Sequence, residues 1–150
     1  MLIAGKGNIN QYQKIAFEYN CDTNVEFLGQ VMDMDKLYRS CMLFVLPSRQ
    51  EGMSNATLEA MSYGMPCVVT DVSGSSDQIE NGKEGLIVPV ESFQDMANAI
   101  CYLLDNPERA KEMGQAAKHK ILEKFDIAVL ARDVVDVYCR LISQMNNNRS

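Results

Sequence analysis

An α/β fold, a parallel sheet flanked by helices, is the class this 150-residue sequence predicts. Three observations predict it. Leu43-Phe44-Val45-Leu46 and Cys67-Val68-Val69 are short continuous apolar runs, the pattern of strands covered on both faces. Between them stand a polar loop, Ser48 to Met53, and a helical segment opened by Ser54, so the stretch reads as one strand–helix–strand unit. Similar short runs recur at Leu2-Ile3-Ala4, Val25-Glu26-Phe27-Leu28 and Gly85-Leu86-Ile87-Val88, set apart by glycine, proline and asparagine.

Taken in order, the Leu2 strand enters a Gly5-Lys6-Gly7 turn, where the backbone comes close to a ligand or to a neighbouring strand. Asn10 stands where a full GxGxxG would have its third glycine, and Lys6 reads either as a phosphate contact or as an exposed lysine. Asn8 suits the cap of a helix to about Asn20, with Tyr12, Ile15, Ala16 and Tyr19 on one face. Gly29 ends the next strand, and Asp33 caps a short helix containing Leu37 and Tyr38. Pro47 stops the Leu43 strand. The Ser54 helix begins Asn55, Ala56, Thr57 and closes near Gly64, where Pro66 forbids its continuation.

Beyond the Cys67 strand, Asp71 to Ser76 is a loop of small residues, read either as a plain connection or as a ligand-facing segment. Asp77 to Glu80 forms one helical turn closed by Asn81-Gly82, and Pro89 stops the Gly85 strand. The rest is helical. Ser92 and Asp95 have capping-box spacing before a helix that turns Met96, Ala99, Ile100 and Leu103 inward. Pro107 suits the first position of a charged helix to about Lys124, which carries His119 outward. A last helix, Asp126 to Ser143, aligns Leu130, Val134, Val137, Tyr138 and Leu141 in one stripe. Residues 144–150 read as a frayed polar tail.

The whole length suits one domain with a sizeable core. A net charge of -6 argues against a nucleic-acid partner, which needs clustered Lys and Arg. Five scattered cysteines without a CxxC, and a single histidine, argue against a metal site and read as free thiols in a reducing compartment. Nothing approaches about 18 consecutive apolar residues, and no basic n-region precedes Leu2.

The chemistry of the central unit follows from its placement. The loop after a parallel strand and the start of the following helix lie together at the sheet's carboxyl edge, where open α/β sheets bind ligands. First-turn N–H groups lack intrahelical partners and, with the helix dipole, suit a phosphate. Glu51 precedes the helix, and Glu59 lies about one turn inside it, on the order of 7 Å along the axis. Each carboxylate can accept two hydroxyl hydrogen bonds and so grip a vicinal diol. A ligand with a sugar, phosphates and a ribose in series fits that order.

Glu51-x7-Glu59, within EGMSNATLEAMSYGMPCVVTD, resembles the signature of the retaining glycosyltransferases of the GT-B fold, glycosyltransferase family 4 or glycosyl transferases group 1. LIAGKGN, VEFLGQV, DMDKLYRSCMLFVLPS and DVSGSSDQIENGKEGLIVPV resemble flanking segments of that family in register, so the likeness covers most of the chain. The resemblance implies the C-terminal, donor-binding half of a Rossmann-like enzyme, here without that half's first strand and helix and without the N-terminal half that carries the acceptor site. It implies a UDP- or GDP-linked sugar as donor, no cofactor and no metal.

By the same likeness Glu51 is the catalytic carboxylate, stabilising charge near the anomeric carbon. Gly52, Met53, Ser54, Asn55, Ala56 and Thr57 offer mainly backbone to the diphosphate, and Glu59 takes the ribose diol. Gly29, Gln30 and Val31 line the base pocket, while Gly5 and Lys6 approach the phosphates. Arg49 reads equally as a phosphate neighbour and as a surface residue. The acceptor is a saccharide or lipid-linked, bound through the missing half, and the expected place is the cytoplasm or the inner face of a membrane, with peripheral association of the full enzyme. Two alternatives stand beside a donor-binding half: a subunit of a split transferase, and a non-catalytic nucleotide-sugar binder or scaffold.

Overall fold

The computed structural model describes residues 1–147, so the expected tail at 144–150 lies partly outside the described residues. The coordinates fall into two compact units, Met1–Arg39 and Ser40–Ser150, where the composition suggested one domain. In the first, β1 (Leu2–Ala4) pairs in parallel with β2 (Glu26–Gly29), and Gly5 N–H donates to Gly29 O at 2.7 Å. Helix α1 (Ile9–Glu18) has Asn8 as its cap, the side chain accepting from Gln11 N–H at 3.3 Å. A single 3-10 turn over Asp22–Asn24 precedes β2. Helix α2 (Met34–Ser40) follows, with Asp33 accepting from Lys36 N–H at 3.2 Å, the capping read from the sequence.

The apolar face expected on α1 is corrected by the structure. Of its four residues only Ala16 is buried; Tyr12, Ile15 and Tyr19 are exposed. The physical reason is the small sheet of this unit: two strands of three and four residues offer too little surface to cover a ten-residue helix.

The second unit is built on a three-stranded parallel sheet in the order β3-β4-β5. Strand β3 (Phe44–Leu46) pairs Val45 with Val68 of β4 (Cys67–Thr70), and β4 pairs Val68 with Leu86 of β5 (Gly85–Val88). Every residue of β4 is buried, as its unbroken apolar run required. Helix α3 (Asn55–Ser62) crosses from β3 to β4, and the four-residue α4 (Ser75–Gln78) lies between β4 and β5. That turn begins two residues earlier than Asp77, because Gly74 at φ 89° reverses the chain and Ser75 Oγ donates to Thr70 O at 2.8 Å.

Helices α5 (Phe93–Asp105) and α6 (Pro107–Lys120) close the core. Val68, Val88, Ala99, Leu103 and Met113 form its centre, with Met96 and Ile100 packed against it, the inward face expected of α5. The Ser92–Asp95 spacing makes a side-chain pair instead of a capping box: Ser92 Oγ donates to Asp95 Oδ2 at 2.6 Å and neither caps a backbone N–H. Helix α6 ends at Lys120; Ile121–Phe125 continue as one π-helical turn, and α7 runs Ile127–Asn147, past the Ser143 limit read from the sequence. Its stripe, Leu130, Val134, Val137, Tyr138 and Leu141, is exposed.

Two close contacts discipline this packing. Gly64 ends α3 at φ 74°, and the carbonyl of Gly64 lies where a Cβ on Gly114 of α6 would fall, 2.0 Å away. At the amino edge of the sheet, Glu84 is 2% exposed; its carboxylate accepts from Glu80 N–H at 2.7 Å and from Lys120 Nζ at 3.3 Å. A buried carboxylate persists only with such partners.

Gly114→Ala forces backbone apart and is expected to destabilise the chain by about 1–3 kcal/mol, read as a lowered urea midpoint. Cys67 supplies a second prediction. Burial pushes its thiol from the ordinary 9.0 up to about 12. At about pH 8 alkylation is expected at exposed Cys101 and Cys139 and not at Cys67 until the chain is unfolded. Between those two pKa values the folded chain holds a proton that the unfolded chain releases, so stability falls as pH rises through that window.

Candidate functional site

The polypeptide leaves β3 at Leu46 and reaches α3 through the loop at 47–54. One hydrogen bond from β4, one contact within the loop and one close backbone approach fix that loop at the carboxyl end of β4. Thr70 Oγ1, the last residue of the strand, donates to Ser48 O at 2.6 Å. Ser48 Oγ donates weakly to Glu51 Oε1 at 3.4 Å. Gly74 presses on Gly52 so closely that a Cβ on Gly74 would lie 2.5 Å from Gly52 O.

Ser54 caps α3 as expected, its hydroxyl accepting from Thr57 N–H at 3.3 Å, while its carbonyl accepts the first helical bond from Leu58 N–H at 3.2 Å. Of the three N–H groups read as phosphate donors, that of Thr57 is therefore engaged in the cap. Asn55 is exposed at the helix tip and Ala56 is half-buried beside it. Gln78, the last residue of α4, is buried and bonds Ser54 twice: its Nε2 donates to Ser54 O at 2.8 Å, and Ser54 N–H donates to its Oε1 at 3.2 Å.

These groups enclose a cavity of about 10 Å³, lined by Glu51, Gly52, Ser54, Thr57, Thr70, Ser75 and Gln78 among others. That is about the least space that admits a single water. Leu46, Val69 and Val72 complete its wall, and Gly52 on that wall and Met53 and Asn55 next to it in sequence are exposed. Glu51 reaches the cavity and is half-buried. Glu59 is exposed on α3 and does not line the cavity, so the two carboxylates do not share this enclosure.

Gly5, Lys6, Gly29, Gln30 and Val31 belong to the first unit. Gly5 and Gly29, both at positive φ, face each other across the β1–β2 pair of the first unit, with exposed Lys6 and Gln30 and half-buried Val31 next to them in sequence. Arg49 pairs on the surface with Glu91 at 3.1 Å, the surface reading of that residue. His119 is exposed and pairs with Glu123 at 3.2 Å. Among the described residues, no group of three His, Cys, Asp or Glu side chains is placed to hold a metal ion, and no helix is long and apolar enough to cross a membrane.

Gln78, Thr70 and Ser75 were not singled out from the sequence. Their neighbours carry no periodicity that marks a polar residue as buried, and a glutamine beside Asp77 reads as solvated. Only contacts between residues 24 and 22 apart, Gln78 with Ser54 and Thr70 with Ser48, expose the role of Gln78 and Thr70.

Ser54→Ala removes the cap and is expected to cost about 0.5–2 kcal/mol, measurable as a lower melting temperature, with the larger value expected because the site is buried.

Comparison with known proteins places this geometry in context. Residues 1–120 match the family model described as glycosyl transferases group 1. A UDP-Gal:alpha-D-GlcNAc-diphosphoundecaprenol alpha-1,3-galactosyltransferase of Escherichia coli is 27% identical over 145 residues, covering 94% of this chain and 37% of its own length. Anabaena HepE, crystallised with UDP, superposes with a TM-score of 0.87 at 19% identity over 93% of this chain and 40% of its own, a likeness of fold. A mutant of Staphylococcus aureus TarM, crystallised with Fondaparinux, alpha-GlcNAc-glycerol and UDP, superposes with a TM-score of 0.83 at 29% identity over 91% of this chain and 28% of its own. The chain spans well under half the length of each of these.

Proposed function

The chain belongs to the glycosyl transferases group 1 family, and from that premise we propose that it supplies the donor-binding half of a retaining glycosyltransferase acting on a nucleoside diphosphate sugar. The observation that carries this reading is the buried Ser54 cap, which presents the start of α3 on the wall of the same small cavity that Glu51 lines. UDP is the first nucleotide to test, since the similar Staphylococcus protein was crystallised with UDP and the Escherichia coli relative is named for a UDP-sugar.

In this reading the pyrophosphate lies over the α3 tip, within reach of the Asn55 and Ala56 backbone and of the helix dipole. Glu51 faces the sugar and stabilises positive charge as the anomeric carbon–phosphate oxygen bond breaks. The acceptor oxygen bonds that carbon on the same face, and its proton leaves with the nucleoside diphosphate. Glu59 accepts from the ribose diol. The acceptor, a saccharide or a lipid-linked one, is held by residues outside this chain. Five free thiols suit a reducing compartment, the cytoplasm or the inner face of a membrane.

Calorimetric titration with UDP and GDP tests this. One nucleotide is expected to bind weakly, and Glu59→Ala is expected to weaken it about tenfold, the scale of charge-assisted hydrogen bonds. Glu51→Gln is expected to lower affinity for the intact sugar nucleotide more than for the nucleotide alone. A scaffold would bind neither nucleotide and show no mutant effect. The purified chain is expected to transfer no sugar by itself, and turnover without an added partner would overturn the half-enzyme reading.

A further inference from the structure

Gln78 is a buried polar side chain of the second unit, bonded at both ends of its amide, that the proposed chemistry leaves unused. It is 2% exposed, and both ends of its amide bond the same residue, Ser54, at 2.8 and 3.2 Å. A primary amide laid against one residue's N–H and C=O acts as a short stretch of ladder, fixing distance and rotation together. Ser54 is also where α3 begins, so whatever orients its two peptide planes orients the N–H of Asn55 that follows. Burial of a glutamine carries a desolvation cost that only such bonding offsets, and an apolar residue would fill the same space without it.

The rest of α4 is tied to the same place. Ser75 Oγ donates to Thr70 O at 2.8 Å, Thr70 Oγ1 donates to Ser48 O at 2.6 Å, and Gly74 abuts Gly52. Thr70 at the end of β4, Gly74 in the loop after it and Gln78 of α4 therefore hold the loop after β3 at its start, its middle and its end: Ser48, Gly52 and Ser54. Of the three grips, that of Gln78 alone bears on the residue that begins the helix.

We propose that Gln78 is a positioning residue for the phosphate-binding tip of α3, holding the Ser54 peptide so that the first-turn N–H groups converge on the ligand. The assignment rests on the function proposed above. Gln78 itself touches no ligand; it acts through Ser54.

The test compares the full chain with Gln78→Met, which keeps volume and loses both bonds, and with Gln78→Glu, which keeps the acceptor and loses the donor. UDP affinity is measured by calorimetry and Ser54 amide exchange by NMR, with Glu59→Ala as reference. Gln78→Met is expected to speed Ser54 exchange and weaken UDP about tenfold, the worth of a pair of buried hydrogen bonds. Gln78→Glu, ionised, faces its carboxylate toward Ser54 O and is expected to weaken UDP similarly. Relative to wild type at each pH, its affinity should recover as the carboxyl is protonated and donates again, a response that a merely space-filling role would not give. Should Gln78→Met fail to fold, the pH response of Gln78→Glu decides alone. Unchanged UDP affinity in the variants, with Glu59→Ala weakened, overturns this inference and leaves the function standing. Failure of the wild type to bind either nucleotide overturns both.

Discussion

The second unit depends on one constraint, the complete burial of β4. Cys67, Val68, Val69 and Thr70 are enclosed by strands on both edges and by helices on the faces, with α5 supplying Ala99 and Leu103 to the shared core. A parallel strand so enclosed has no water for its backbone, and ladder bonds to β3 and β5 satisfy it, with Ser75 Oγ donating to the last carbonyl, that of Thr70. Both flanking strands are thereby held in register. The loops at their carboxyl ends emerge side by side, and this is why a four-residue strand of plain apolar character governs where a polar site is built.

The two edges of this sheet use buried polarity differently. At the carboxyl edge the contacts run between neutral groups and loop backbone: Thr70 to Ser48, Ser75 to Thr70, Gln78 to Ser54. They shape a surface and leave its electrostatics to the helix tip and to Glu51. At the amino edge, Glu84 and Lys120 form an ion pair that binds the turn before β5 to α6. Removing one member of such a pair leaves an uncompensated buried charge, so this edge is a clamp and its charges are spent on each other.

Unlike the core of the second unit, several faces read as apolar from the sequence are open. The α1 face leaves Tyr12, Ile15 and Tyr19 uncovered, and the α7 stripe is exposed along its described length. A periodic stripe reports that a helix has one greasy side; it does not report what stands opposite. Where a sheet of adequate width is present, as beneath α5, the stripe packs inward as read, with Ala99 and Leu103 buried and Met96 and Ile100 partly so. Where the sheet has two short strands, it is not.

What the sequence determined by itself was local. Continuous runs such as Cys67-Val68-Val69 specify buried strands, Ser54 and Asn8 specify helix starts, and Gly64-Met65-Pro66 specifies a helix end, because each depends on chain geometry and on backbone groups within a few residues. Glu51 and the α3 tip were legible for the same reason, as a loop and a helix start adjacent in sequence. The tertiary structure decided what joins residues far apart: the Gln78–Ser54 and Thr70–Ser48 contacts, the Glu84–Lys120 pair, the Gly114–Gly64 approach, and the exposure of Glu59 outside the cavity that Glu51 lines. A polar side chain carries no mark of its distant partner. Its burial is set by the packing of whole elements, which the order of residues along one strand or helix does not contain.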